Sequence, residues 1–275
     1  MTDMTIATVR ASSWWELFDC GLRWYAKNEL GYKMPVGPPA VMGTALHKAT
    51  AVYDQANMEG QPISISDGAG VYVDTLYEPG FEVDWRDTDL AYSKAEQIGI
   101  KVHGNYCRNV APDYEYVGVE MQTDPLNVEV NMADGEVYKI RLTGTLDRAR
   151  LVDAGDKNRI ADVKTGKMAV NANDVAVVKG HSPQLGVYQL MAAAQSEKPI
   201  DEDADIIGLQ TTDKARVGVA TIKNAKRVLV GDEETPGMIE LAAKMFKNGL
   251  FPPNPKSMLC SERYCPYWNK CRYHE

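Results

Sequence analysis

Long apolar runs are missing from this 275-residue chain. None of its apolar stretches reaches the ~20 residues of a membrane span, and the N-terminus has no basic segment followed by an apolar core. The expectation is a cytoplasmic protein without membrane attachment. Cysteine is scarce too. Five thiols are too few and too unevenly placed for a disulfide framework, and an intracellular cluster of them points to metal and a reducing compartment. Positive charge is short as well, with a net charge of −8. That excludes coating a polyanion through bulk electrostatics, but leaves room for a local basic groove and for carboxylates reserved for metal ions. There is no Gly-rich phosphate-binding loop, internal repeat or low-complexity linker. What is present is 44% apolar content, enough to fill a real core. The economical reading is one α/β domain over residues 1–275, its core at about 40–230, with N- and C-terminal additions.

Helical spacing follows the caps Ser12 and Ser13 and ends near Gly31, with Cys20 on that helix or in a break within it. The aromatic and basic residues Trp14, Trp15, Arg23, Trp24 and Tyr25 either grip a strand or pack this helix. After a Pro-Gly loop the pattern predicts a helix over 43–58 with His47 in its first turn, and another within 87–110. From Tyr114 the period changes to short alternating runs. Turns at 133–135 and 154–156 then imply an antiparallel meander. A helix opened by Ser182-Pro183, two strands, a helix over 234–248 and the stiff "FPPNP" segment complete the chain.

The chemistry concentrates in "GTLDRARLVDAGDKNRIADVKTGK". Asp162 and Lys164, two apart on a strand, leave the same face. If the turn centres on Ala154-Gly155, positions summing to 309 face one another and Asp147 stands opposite Asp162, with Cβ atoms ~5 Å apart. Two such acids repel unless a cation fills the gap, and a hard oxygen site favours magnesium or manganese. Such an ion acidifies a bound water and neutralises a scissile phosphate, while Lys164 orients that water or acts as its base. Each residue also has an ordinary reading. Asp-x-Lys is frequent on solvated strands, His47 could be a surface or capping residue, Gln184 and Tyr188 a polar edge and a core ring, and Glu120 part of a solvated strand face.

"GTALH", "GTLDRA", "ADVKTGK" and "QLGVYQLM", in that order, resemble the successive motifs of the PD-(D/E)xK nuclease superfamily in its RecB-like branch, which includes CRISPR-associated and phage exonucleases. The likeness runs from about residue 12 to 273. It implies a restriction-endonuclease-like fold, a central mixed β-sheet flanked by helices. It also implies a magnesium- or manganese-dependent exonuclease acting on DNA ends or single strands. Carried over by residue, His47, Asp147 and Asp162 are metal ligands, with the Val163 carbonyl as an addition, and Lys164 is the catalytic lysine. Gln184 and Tyr188, four apart on one helix face, would touch DNA or position Lys164. Glu120 sits where many members carry an acid on the first strand and is a lesser candidate. Homo-oligomers and recombination or CRISPR-type partner proteins are compatible with the branch. The rival from another class is a catalytically silent DNA-binding or assembly subunit, and a third is a zinc-stabilised binding module.

Cys260, Cys265 and Cys271 are one thiol short of a complete site. With His274 they could form a local Cys₃His zinc site, or they could be metal-free. The RecB-like resemblance implies a different fourth ligand, Cys20, completing a four-iron, four-sulfur cluster that clasps the two termini together. Its C-terminal spacing of four and five intervening residues departs from the commonest pattern of the branch. Cys107 is expected to be a buried or free thiol.

Overall fold

A computed structural model describes residues 6–85 and 90–274. In chain order its elements are β1 (Ile6–Arg10), α1 (Trp14–Asp19), α2 (Gly21–Asn28), α3 (Pro38–Met58), α4 (Ile65–Tyr77), α5 (Tyr92–Asn109), β2 (Tyr116–Gln122), β3 (Leu126–Asn131), β4 (Val137–Thr143), β5 (Thr145–Val152), β6 (Lys157–Gly166), α6 (Ser182–Ala193), β7 (Ile200–Gln210), β8 (Val217–Ile222), α7 (Arg227–Val230) and α8 (Met238–Lys247). The strands form two mixed sheets flanked by helices, one of five strands in the order β2-β5-β6-β7-β8 and one of three in the order β1-β4-β3. This is the α/β architecture that the resemblance implied.

The expected single meander is corrected by the second sheet. β4 leaves β3 and enters β5 through Gly144, so consecutive strands fall into different sheets. The crossing point is crowded: a Cβ at Gly144 would lie 2.8 Å from the Tyr188 ring and 3.1 Å from Ala11 Cβ. Only a residue without a side chain lets the chain change sheets there. In the larger sheet β6 and β7 are parallel and joined by α6, while the other pairs are antiparallel. Both faces of β6 and β7 are covered. Ile160, Ala204 and Ile206 pack with α6, α8 and the smaller sheet, whereas Ala161, Val163, Ile207 and Leu209 pack with α3, α4 and α5. That two-sided burial explains the apolar run Ile206-Ile207-Gly208-Leu209 in the second half of β7.

Two helical expectations change, and the alternatives for the N-terminal helix are decided. α3 begins at Pro38, because prolines at the first helical positions start a helix as well as fill a loop, and His47 therefore lies in its middle. The N-terminal helix is broken at Cys20, whose extended backbone separates α1 from α2. α4 has no counterpart in the apolar spacing, yet it opens with a capping box in which Ser64 and Asp67 satisfy each other's backbone N–H groups. The first part of the helix expected over 87–110 lies outside the described residues. Among the described residues no helix is long and apolar enough to cross a membrane.

His103 on α5 is fully buried, with Cys107 Sγ 3.4 Å from its Nε2. Burial pushes its pKa from 6.5 down to about 4. Between those values the unfolded chain binds a proton that the native imidazole refuses, so stability is complete above about pH 7 and falls as pH drops toward 4. The expected loss is on the order of 2–3 kcal/mol. Urea midpoints compared at pH 7.5 and 5 should show it, with a flatter dependence in His103→Asn.

Candidate active site

The chemistry-bearing residues converge where α3 and α6 meet the large sheet. β5 and β6 pair with Arg148 opposite Ala161 and Val152 opposite Lys157, and one further step sets Asp147 opposite Asp162 as the turn geometry predicts. The turn itself is a 3₁₀ segment, Asp153–Gly155. β2 lies on the other side of β5, with Val119 opposite Arg148 and Met121 opposite Leu146, so Glu120 comes level with Asp147. Three adjacent strands thus bring Glu120, Asp147 and Asp162 to one level.

α3 supplies His47. Its ligand atom and those of Glu120 and Asp147 all lie within 4.8 Å of one another, with His47 Nδ1 3.4 Å from Asp147 Oδ2. The Val163 N–H donates to Asp147 Oδ2 at 2.9 Å, which fixes that carboxylate. Glu120, the lesser candidate in the sequence, is therefore part of the group. Asp162 is not part of it. Its Oδ2 pairs with Lys164 Nζ, and its Oδ1 accepts a hydrogen bond from Gln184 Nε2 at 3.2 Å. Gln184 also donates to the Tyr188 hydroxyl at 3.0 Å, so Gln184 reaches Asp162 directly and Tyr188 is linked to it through Gln184.

The electrostatics follow from crowding acids in a dry place. Burial pushes the carboxyls of Asp147 and Asp162 up, and Lys164 pulls both back. Glu120 also rises, first through burial and then through the neighbouring Asp147 charge. Burial holds His47 at about 4, as the neutral imidazole that a metal requires. Two carboxylates and a neutral imidazole at mutual ligand distance are an oxygen-dominated donor set that fits a manganese or magnesium ion. The side facing solvent is a groove along α3 lined by Gly43, Thr44, His47, Lys48, Glu120 and Thr165. Gly43 lets the Thr165 hydroxyl approach the α3 backbone, since a Cβ there would sit 2.7 Å from it.

The sequence model of the PD-(D/E)XK nuclease superfamily matches residues 11–272. This chain belongs to that superfamily. Membership implies metal-dependent nuclease activity with divalent ions such as magnesium or manganese, and DNA as substrate. Comparison with curated proteins gives no match.

A second cluster lies at the joined ends of this nuclease chain. Cys20, in the break between α1 and α2, faces the same cavity as Cys260, Cys265 and Cys271, which is otherwise walled by residues such as Leu22, Pro253, Pro255 and Trp268. The tail is fastened there by Asn254 N–H to Cys20 Sγ (3.4 Å), Ser257 to Asp19 (2.6 Å) and Phe251 tilted against Tyr25 at 4.6 Å. Burial raises the Cys260 and Cys265 thiols, and neighbouring thiols raise them further. His274 is turned away from the cavity, stacked on Trp268 at 3.9 Å. Of the aromatic and basic run in the N-terminal helix, Trp14, Arg23 and Trp24 are buried while Trp15 is exposed, so that run mostly packs the helices. Cys107 is buried.

Proposed function

We propose that the protein is a RecB-like DNA exonuclease that degrades DNA from ends or single strands with magnesium or manganese. The observation that carries this is the meeting of His47, Glu120 and Asp147 beside the Asp162–Lys164 pair. His47, Asp147 and Glu120 would hold the divalent ion, with Asp162 and the Val163 carbonyl at its edge. Its chemistry when bound is to acidify a water and to neutralise phosphate charge. Lys164, 22% exposed and paired with the fully buried Asp162, would orient the attacking water and take its proton. Gln184, itself bonded to the Tyr188 hydroxyl, holds Asp162, and Lys48 offers a cation to the DNA backbone.

In the same reading the four cysteines hold a structural four-iron, four-sulfur cluster. Two observations support it over local zinc: four thiols face one cavity, and His274 is not among the residues lining it. The chain would act as one domain in the cytoplasm, the host's if phage-encoded, alone or with recombination or CRISPR-type partners. To separate exonuclease from endonuclease action, end-labelled linear DNA and covalently closed circles are incubated side by side with Mn²⁺. Linear DNA should shorten while circles survive, and linearised circles would overturn the exonuclease assignment.

A further inference from the structure

Behind the metal group lies a buried arginine that the reaction as described does not use. Arg148, next to Asp147 on β5, is fully buried. Its Nε donates to Asp54 Oδ2 at 2.7 Å, Nη2 to Thr50 Oγ1 at 3.2 Å, and Nη1 to both the Asp147 carbonyl (2.7 Å) and Glu120 Oε1 (3.2 Å). Asp54 and Thr50 are themselves buried, and Asp54 Oδ2 also accepts from the Tyr106 hydroxyl at 2.7 Å.

We propose that Arg148 is a positioning residue that holds Glu120 in the metal group and ties it to the helix carrying His47. The inference rests on the divalent-metal reading above. Glu120 needs such a hold. It is 44% exposed and has a φ of 47°, a left-handed backbone that an L-residue adopts at a cost of roughly 1–2 kcal/mol. A buried Arg–Asp pair is already neutral, so satisfying Asp54 does not explain the Nη1 proton aimed at an exposed carboxylate. His47, Thr50 and Asp54 follow i, i+3 and i+7 on one face of α3. One helical face thus presents a ligand to the metal group and, a turn or two later, the two acceptors that lock the guanidinium. The planar fork can serve both sides at once, and an ammonium cannot.

The experiment is Mn²⁺ binding followed by calorimetry in single variants and in a double-mutant cycle. Arg148→Lys keeps the charge and loses the fork, so Mn²⁺ affinity should fall about 10- to 100-fold, the range for residues that orient metal ligands. In a Glu120→Gln background the same change should cost less than about twofold, because the group it acts through is already lost. Should Arg148→Lys fail to fold, the pair Asp54→Asn with Arg148→Gln removes both buried charges together, and the same weakening is expected. Wild-type affinity in these variants, or an equal loss with and without Glu120, overturns the proposal. If the wild-type protein itself binds no Mn²⁺, the metal reading fails, and that flat isotherm is distinct from a variant-specific result.

Discussion

Lys164→Ala should reduce DNA cleavage by about 10²- to 10⁴-fold, the contribution of a positioned group that handles the proton of an attacking nucleophile. The loss should fall on kcat. In the proposed reading the metal is held by His47, Glu120 and Asp147, so Mn²⁺ binding should persist in the variant. The fold should persist too. Asp162 is fully buried, and its carboxyl is already raised by burial, so without the ammonium it can take up a proton while Gln184 still holds its other oxygen. Single-turnover cleavage beside a thermal melt separates these effects. A variant that cuts like the wild type removes Lys164 from the reaction, and one that melts far below the wild type shows a structural loss instead.

On the proposed iron–sulfur reading, Cys20→Ser should strip the metal from the cysteine cavity and loosen both ends of the chain. A serine hydroxyl is a poor replacement for a thiolate on iron. A site that joins residue 20 to residues 260–271 closes a loop of about 240 residues, and opening it costs on the order of 5 kcal/mol by the chain-entropy argument. Packing of Phe251 against Trp24 and Tyr25 remains and limits the damage to the termini. His274→Ala should change neither metal content nor stability, since that ring rests on Trp268 outside the cavity. Iron and sulfide analysis with a visible spectrum of anaerobically prepared protein reads the outcome. Zinc that survives Cys20→Ser but is lost in His274→Ala would establish a local Cys₃His site instead.

Much of the centre is legible in the sequence because it depends on local rules. The Asp147–Asp162 register follows from where the 153–155 turn falls, and the common face of Asp162 and Lys164 follows from strand period. Gln184 and Tyr188 share a helix face by spacing alone, and their hydrogen bond is what that spacing allows. The capping box of α4 is equally local, and a reading by apolar periodicity passes over it. Other features depend on distant partners. Glu120 joins the ligand group with a left-handed backbone, and its stretch "VGVEMQ" gives no sign of that. Arg148 meets Asp54 across 94 residues of chain, so nothing near it marks it as buried. The split into two sheets passes through Gly144, where Tyr188 and Ala11 leave no room for a side chain, a tertiary contact that the local pattern does not show.

The central claim is that this superfamily member is a working metal-dependent nuclease with its chemistry at His47, Glu120, Asp147 and Lys164. The most direct measurement is the fate of end-labelled single- and double-stranded linear DNA incubated with purified protein and Mn²⁺ or Mg²⁺. The account predicts progressive loss of DNA by the wild type, arrested by EDTA and absent in Lys164→Ala. Intact DNA with both ions, or cleavage that continues in EDTA, would contradict it.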